Sequence, residues 1–196
     1  MSTESEHSRG EEESDLVERL RRMDAAAWNR VTREYRAGIL YACLRRVRNR
    51  ADAEDVCSQT FVRAVSHIGR FRGDSSFKVW LHTIAYNLCM THLVAGARDR
   101  PASLDAISLK NRNPGDFAGD APSADRLIAS AEARSAFNKA MATIDRDLSN
   151  AFHLREIEGL AYDEIAKVTG VPINTVKTRI FRARMQLRRS LVEHRE

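Results

Sequence analysis

The sequence predicts an all-α chain: two small helical domains joined by a flexible linker, the C-terminal one carrying a helix-turn-helix. Three observations support this. Apolar residues recur at helical spacing on both sides of a single break. The break, Arg98 to about Ala124, holds Pro101, Pro114 and Pro122 with Gly115 and Gly119, and no apolar period survives across it. The chain then closes on two short helices, a Gly-Val-Pro turn and a strongly basic helix. The expected organisation is a disordered acidic tail over 1–14, a helical domain over 15–97, a linker over 98–124 and a second helical domain over 125–196.

Composition narrows the partners. Hydrophobic residues make up 43% of the 196, enough for real cores, and 30% are charged, as on a soluble surface. The net charge is +5 and unevenly spread: acid dominates near the start (Glu4, Glu6, Glu11, Glu12, Glu13, Asp15, Glu18) and base near the end. That asymmetry fits a chain with one end on a polyanion. No apolar run approaches the length of a membrane span, so no membrane insertion is expected, and the polar N-terminus lacks a signal-peptide core. Cys43, Cys57 and Cys89 form no CxxC pair, which fits reduced thiols in a cytoplasm.

In chain order, a first helix is expected over Asp15–Met23, with Leu16, Leu20 and Met23 inward. A second runs from about Ala25 to Val47, burying Trp28, Val31, Tyr35 and Ile39, and Asn49-Arg50-Ala51 reads as a turn. The next, Asp52–Ile68, buries Cys57, Phe61, Ala64, Val65 and Ile68 on one face and turns Asp52, Asp55 and Gln59 to the other. Those acids either complement the helix dipole, worth roughly 0.3–1 kcal/mol each, or offer a docking face to a basic partner.

The segment Phe71–His92 opens with a polar turn, Arg72-Gly73-Asp74-Ser75-Ser76, that hands over to a helix. Phe77, Trp80, Leu81, Ile84, Ala85 and Leu88 form its buried stripe. Phe71 lies off the helix, Lys78, His82 and Tyr86 fall away from the stripe, and Asn87 sits at its edge. Exposed rings and an amide beside basic residues can hold bases taken out of a duplex, although a core helix with a wet face would look similar. Beyond the linker, helices are expected over Asp125–Ile144, from a Ser149 cap to Glu158, and over Tyr162–Thr169, with Gly159 and Gly170 as stops. Pro172 starts the last helix. Its stripe, Val176, Ile180, Ala183, Leu187 and Leu191, is surrounded by Lys177, Arg179, Arg182, Arg184, Arg188 and Arg189.

That arrangement suits a recognition helix in a major groove: Thr178 and Arg182 with Lys177 face base edges, and the arginines neutralise phosphates. Catalysis has no comparable support. No glycine-rich phosphate loop, HExxH or nucleophile elbow is present, and Cys89 with His92 lacks the further ligands of a metal site. No catalytic residue, cofactor or metal is therefore expected. A DNA-binding repressor or activator acting without polymerase is the second reading, and a metal or redox switch on the cysteines the third.

Several ordered motifs resemble the extracytoplasmic-function (ECF) sigma factors of the sigma-E type, within the sigma-70 superfamily. They are Asp24 to Tyr35 with Trp28 and Val31, then Asp52-Ala53-Glu54-Asp55-Val56 followed by Thr60-Phe61. Phe71 to Phe77 follows, with Trp80-Leu81, Ile84-Ala85 and Asn87. The last are Leu154-Arg155-Glu156, Gly159 to Ala166, Val171-Pro172, Thr175 to Arg179 and Phe181 to Arg184. The resemblance implies that 15–97 is sigma region 2 and 125–196 sigma region 4. It implies a factor that binds core RNA polymerase and directs promoter-specific initiation. Asp52, Asp55 and Gln59 would dock on the clamp of the beta-prime subunit, and the linker would thread toward the RNA exit path. Phe71, Arg72, Asp74, Ser75, Ser76, Lys78 and Asn87 would capture a flipped base of the minus-ten element. Arg155, Thr175, Lys177, Thr178, Phe181 and Arg182 would read the minus-thirty-five duplex. It also implies an anti-sigma factor as a further partner. Ser58-Gln59 stands where the family usually has Gln-Glu, and Lys177 where arginine is common.

Overall fold

The computed structural model describes residues 3–99 and 135–193, with side chains described over 12–95 and 135–190. Arg98 and Asp99, expected in the linker, are helical; the rest of the linker, from Arg100 onward, and the start of the helix expected from Asp125 lie outside the described residues. All regular structure among the described residues is helical. The chain divides into two compact units, one of Met1–Ile107 with Lys167–Gly170 and the other of Ser108–Ala166 with Val171–Glu196.

In the first unit, α1 (Thr3–Arg21) begins far earlier than the sequence suggested. The tail expected to be disordered through Ser14 is helical from Thr3. Glutamates are good helix formers, and Glu13 is drawn into tertiary structure by accepting the Phe77 N–H. Val17 and Leu20 are buried. Met23, expected inward, is 57% exposed, because the chain turns there through a left-handed residue at φ 59°. Asp24 then caps α2 (Ala25–Val47), its Oδ1 accepting the N–H groups of Ala26 and Ala27 at 2.8 and 3.2 Å. The hydrogen bond from Arg19, with those from the backbone, holds the Asp24 carboxyl below its ordinary value.

The expected turn at Asn49 is the cap of α3 (Arg50–His67), whose helix absorbs Arg50 and Ala51. A 3-10 turn over Ile68–Arg70 leads through the Phe71–Ser76 loop into α4 (Phe77–Asp99). Gly73 sits in that loop at φ 80°, a conformation that a side chain would strain. The core joins Val31, Ile39 and Cys43 of α2 to Val56, Cys57 and Ala64 of α3 and to Phe77, Leu81, Ala85 and Leu88 of α4. All three cysteines are free and buried. The hydrogen bond between Cys43 and Cys89 raises the first thiol and lowers the second, while burial pushes Cys57 up to about 11.

The second unit contains α5 (described over 135–143), α6 (Arg146–Glu156), α7 (Tyr162–Thr169) and α8 (Ile173–Glu193). Ser149 does not cap α6. Asp145 does so, accepting from Asp147 and Leu148, and Ser149 is buried inside the helix one turn on. Aspartate caps about as well as serine and, unlike serine, carries a charge that complements the helix dipole. Ala140, Met141, Ile144 and Leu187 form a core cluster flanked by Phe137, Leu148 and Phe152. Gly170, at φ 67°, makes the turn between α7 and α8.

Candidate nucleic-acid interface

Three surfaces carry the residues singled out from the sequence. On α3, Asp55 and Gln59 are exposed and Asp52 is half-buried, all turned away from the Cys57 side of the helix. Asp52 has a partner from α4: His92 Nε2 lies 3.2 Å from its carboxylate. The acidic face is therefore shared between two helices. Ser58, in the position where a glutamine is usual, turns its hydroxyl back to the Glu54 carbonyl at 2.9 Å.

The second surface differs most from expectation. Phe71 is not an exposed ring: only 6% of it is accessible, and it packs on Trp80 at 5.2 Å and on Phe77 at 6.0 Å between centroids. Its position outside the helix let it escape the helical period, yet the loop folds its ring under α4. His82 is likewise buried, and Tyr86 is engaged by Arg46, whose guanidinium stacks 4.4 Å above the ring and donates to the phenol at 2.8 Å. Arg72 and Asp74 are exposed, and Ser75, Ser76 and Lys78 half-buried. Ser76 Oγ accepts the Val79 N–H at 3.3 Å, capping α4.

Asn87 does not join the loop residues in one pocket. It lines a concavity of about 230 Å³ with Trp80 and Ile84 of α4, Arg63 and His67 of α3, and Arg70. The loop residues Arg72, Gly73, Ser75 and Ser76 border a different cavity, about 460 Å³, whose far wall is α1. The first concavity is where two helical faces meet. Residues 63, 67 and 70 run i, i+4, i+7, as do 80, 84 and 87, so each set lines one face. Sequence reading assigned Trp80 and Ile84 wholly to the core and passed over the three basic residues. Their shared spacing was the available signal. What this concavity offers is one aromatic wall, one aliphatic wall, an amide and a basic rim.

The third surface is the helix-turn-helix. Lys177, Thr178, Phe181 and Arg182 are exposed on α8, Phe181 at 64%, and Thr175 is half-buried. Thr178 Oγ1 donates to the Asn174 carbonyl at 2.9 Å. Arg155 reaches this surface from α6, donating to the Leu160 carbonyl at 2.9 Å and stacking 4.7 Å above the Tyr162 ring, with the Lys177 ammonium 6.0 Å from the same centroid. Tyr162 thus organises two cations and was missed from sequence. The basic face is also less uniform than its sequence. Arg179 pairs with Asp147 and Arg184 with Glu156, both at 2.5 Å. The Glu156 bond raises the Arg184 pKa.

Both halves match sigma-70 models. Residues 31–98 fit sigma-70 region 2 and residues 134–187 fit sigma-70 region 4. Over 182 residues the chain is 37% identical to the RNA polymerase sigma-H factor of Pseudomonas aeruginosa, covering 92% of this chain and 94% of that one. It is 36% identical over 170 residues to the ECF RNA polymerase sigma-E factor of Escherichia coli, covering 86% and 88%. Its fold is shared with the sigma factor RpoE of Bartonella quintana, solved with the anti-sigma factor NepR, at a TM-score of 0.65, 21% identity, and coverage of 83% and 95%. The chain belongs to the ECF sigma factors of the sigma-70 family and acts in transcription initiation. Among the described residues, no helix is long and apolar enough to cross a membrane.

Proposed function

We propose that this sigma factor opens its promoters by base capture, with the work divided among the three surfaces. Asp52, Asp55 and Gln59 dock on the beta-prime clamp of core RNA polymerase. The helix-turn-helix reads the minus-thirty-five duplex through Thr175, Lys177, Thr178, Phe181 and Arg182, with Arg155 held ready by Tyr162. A base of the minus-ten non-template strand leaves the stack and enters the concavity between α3 and α4. Arg72, Asp74, Ser75, Ser76 and Lys78 flank the strand, while the buried ring of Phe71 backs Trp80 rather than meeting the base.

The observation that carries this reading is the concavity itself: Trp80, Ile84 and Asn87 opposite Arg63, His67 and Arg70. Flipping a base costs a few kcal/mol. Stacking on an aromatic wall returns roughly 1–3 kcal/mol per base, and an exposed amide can hydrogen-bond the base edge. Basic side chains around the rim suit the strand's phosphates. No nucleotide hydrolysis is required, because binding energy drives the opening. An anti-sigma factor as a further partner is supported by the Bartonella structure, solved in complex with the anti-sigma factor NepR.

The test is a pull-down of purified core RNA polymerase by this chain, followed by run-off transcription on a promoter library. Stoichiometric binding with new, sequence-specific start sites is expected. Duplex binding without polymerase association would point instead to a repressor or activator, and the acidic α3 face would revert to ordinary surface.

A further inference from the structure

α1 crosses the Phe71–Ser76 loop and is tied to both of its ends. Near one end of the helix, Arg21 Nη2 donates to the Phe71 carbonyl at 2.6 Å. Two turns earlier, Glu13 accepts the N–H of Phe77, the first residue of α4. At 1.5 Å per residue these two anchors stand about 12 Å apart along α1. The cavity between helix and loop is walled by Ser14, Val17 and Glu18 on one side and by Arg72, Gly73 and Ser75 on the other.

Each anchor bears on the concavity assigned to the base. Phe71, whose carbonyl Arg21 holds, packs its ring on Trp80 at 5.2 Å, and Phe77, whose amide Glu13 holds, packs on Trp80 at 5.6 Å. Trp80 is the aromatic wall. α4 has no acidic residue in its own first turn, so the carboxylate complementing its dipole is supplied by Glu13 from another element. The loop's own hold is the Ser76 cap on α4 at 3.3 Å, and Gly73, at φ 80°, brings conformational freedom between the two anchors.

We propose that α1 is a brace for promoter opening. Glu13 and Arg21 are positioning residues that hold the two ends of the loop, and through Phe71 and Phe77 the Trp80 wall, in the geometry that receives a single-stranded DNA base. This rests on the strand-capture reading above, and its test keeps the two apart.

The full chain is titrated with fluorescein-labelled single-stranded DNA of randomised sequence, and separately with a duplex pool, for the native protein and for Glu13→Ala, Arg21→Ala and Glu13→Gln. Both alanine variants are expected to bind the single strand about tenfold more weakly, the loss of a charge-assisted hydrogen bond that orders a binding loop. Duplex affinity and the midpoint of thermal melting of the C-terminal unit stay at native values. Glu13→Gln, whose amide oxygen still accepts the Phe77 N–H, falls between. Native single-strand affinity in both alanine variants overturns the brace while leaving strand capture intact. Tighter binding by Glu13→Ala also overturns it, since Glu13 would then be occupying a phosphate position at the α4 N-terminus. A native chain that ignores the single-stranded pool overturns strand capture and the brace with it.

Discussion

Trp80 has two tasks that mutation can separate. It packs on Phe71 and Phe77, and it lines the concavity with Asn87. Phe71→Ala, at a ring 6% accessible, is expected to destabilise the first unit by about 3–5 kcal/mol, read from denaturant melting. Asn87→Ala, at an exposed residue, should leave melting unchanged and weaken promoter opening, measured by permanganate reactivity of unpaired thymines, with polymerase binding intact. Equal losses of opening and polymerase binding would remove Asn87 from the capture site. The α2 cap makes a pH prediction. The Asp24 carboxyl lies below its ordinary value of 3.8 in the folded chain, chiefly through the hydrogen bond from Arg19. Its contribution is therefore present above that pH and lost as pH falls through the folded value. Asp24→Asn keeps an acceptor at the cap but should flatten that segment of the stability curve in acid melts. Gly159 and Gly170 were legible at this scale, because left-handed turns depend on a few adjacent residues, whereas Asn49, read as part of a turn, is the cap of α3.

At the scale of elements, the basic face of α8 is tuned from outside. Asp147 and Glu156, both on α6, take up Arg179 and Arg184. An arginine already paired offers less to a phosphate, so the count of basic residues overstates the electrostatic footprint. Asp147→Asn should release Arg179 and steepen the salt dependence of duplex binding by up to about one unit of log-log slope, whereas Arg182→Ala should reduce it by about one. Fluorescence anisotropy across a salt series measures both, and equal slopes in the Asp147 variant would mean that Arg179 stays out of reach of the DNA. The helices themselves were largely legible: α2, α7 and the start of α8 fall where periodicity and caps put them. Of α1 only the part from Asp15 was, since the acidic, polar stretch before it has no internal reason to bury anything; the order of that stretch comes with Glu13 reaching α4. Ser149 was mistaken for a cap because a serine before a helical run looks the same whether it starts the helix or lies inside it, and Asp145 stood close enough to take the role.

For the whole molecule, each unit carries its own apolar cluster, the pattern expected of independently folding modules. A fragment covering 125–196 should therefore bind duplex DNA with the salt slope of the full chain, and a fragment covering 1–99 should retain polymerase binding without duplex reading. A C-terminal fragment with no cooperative melt would show that the units depend on each other. From sequence alone came the helical class and the helix-turn-helix with its basic last helix. These rest on composition, on a period of 3.6 residues and on caps, all of which act within a turn or two of the chain. Tertiary structure alone decided that Phe71 lies inside, that Asn87 faces Arg63, His67 and Arg70, that α6 neutralises part of α8, and that α1 holds the loop. Arg21 and Phe71 are 50 residues apart, Glu13 and Phe77 are 64, and Asp147 and Arg179 are 32. No local pattern encodes such pairs, because they form only when the packing of separate helices brings a charge and its partner together.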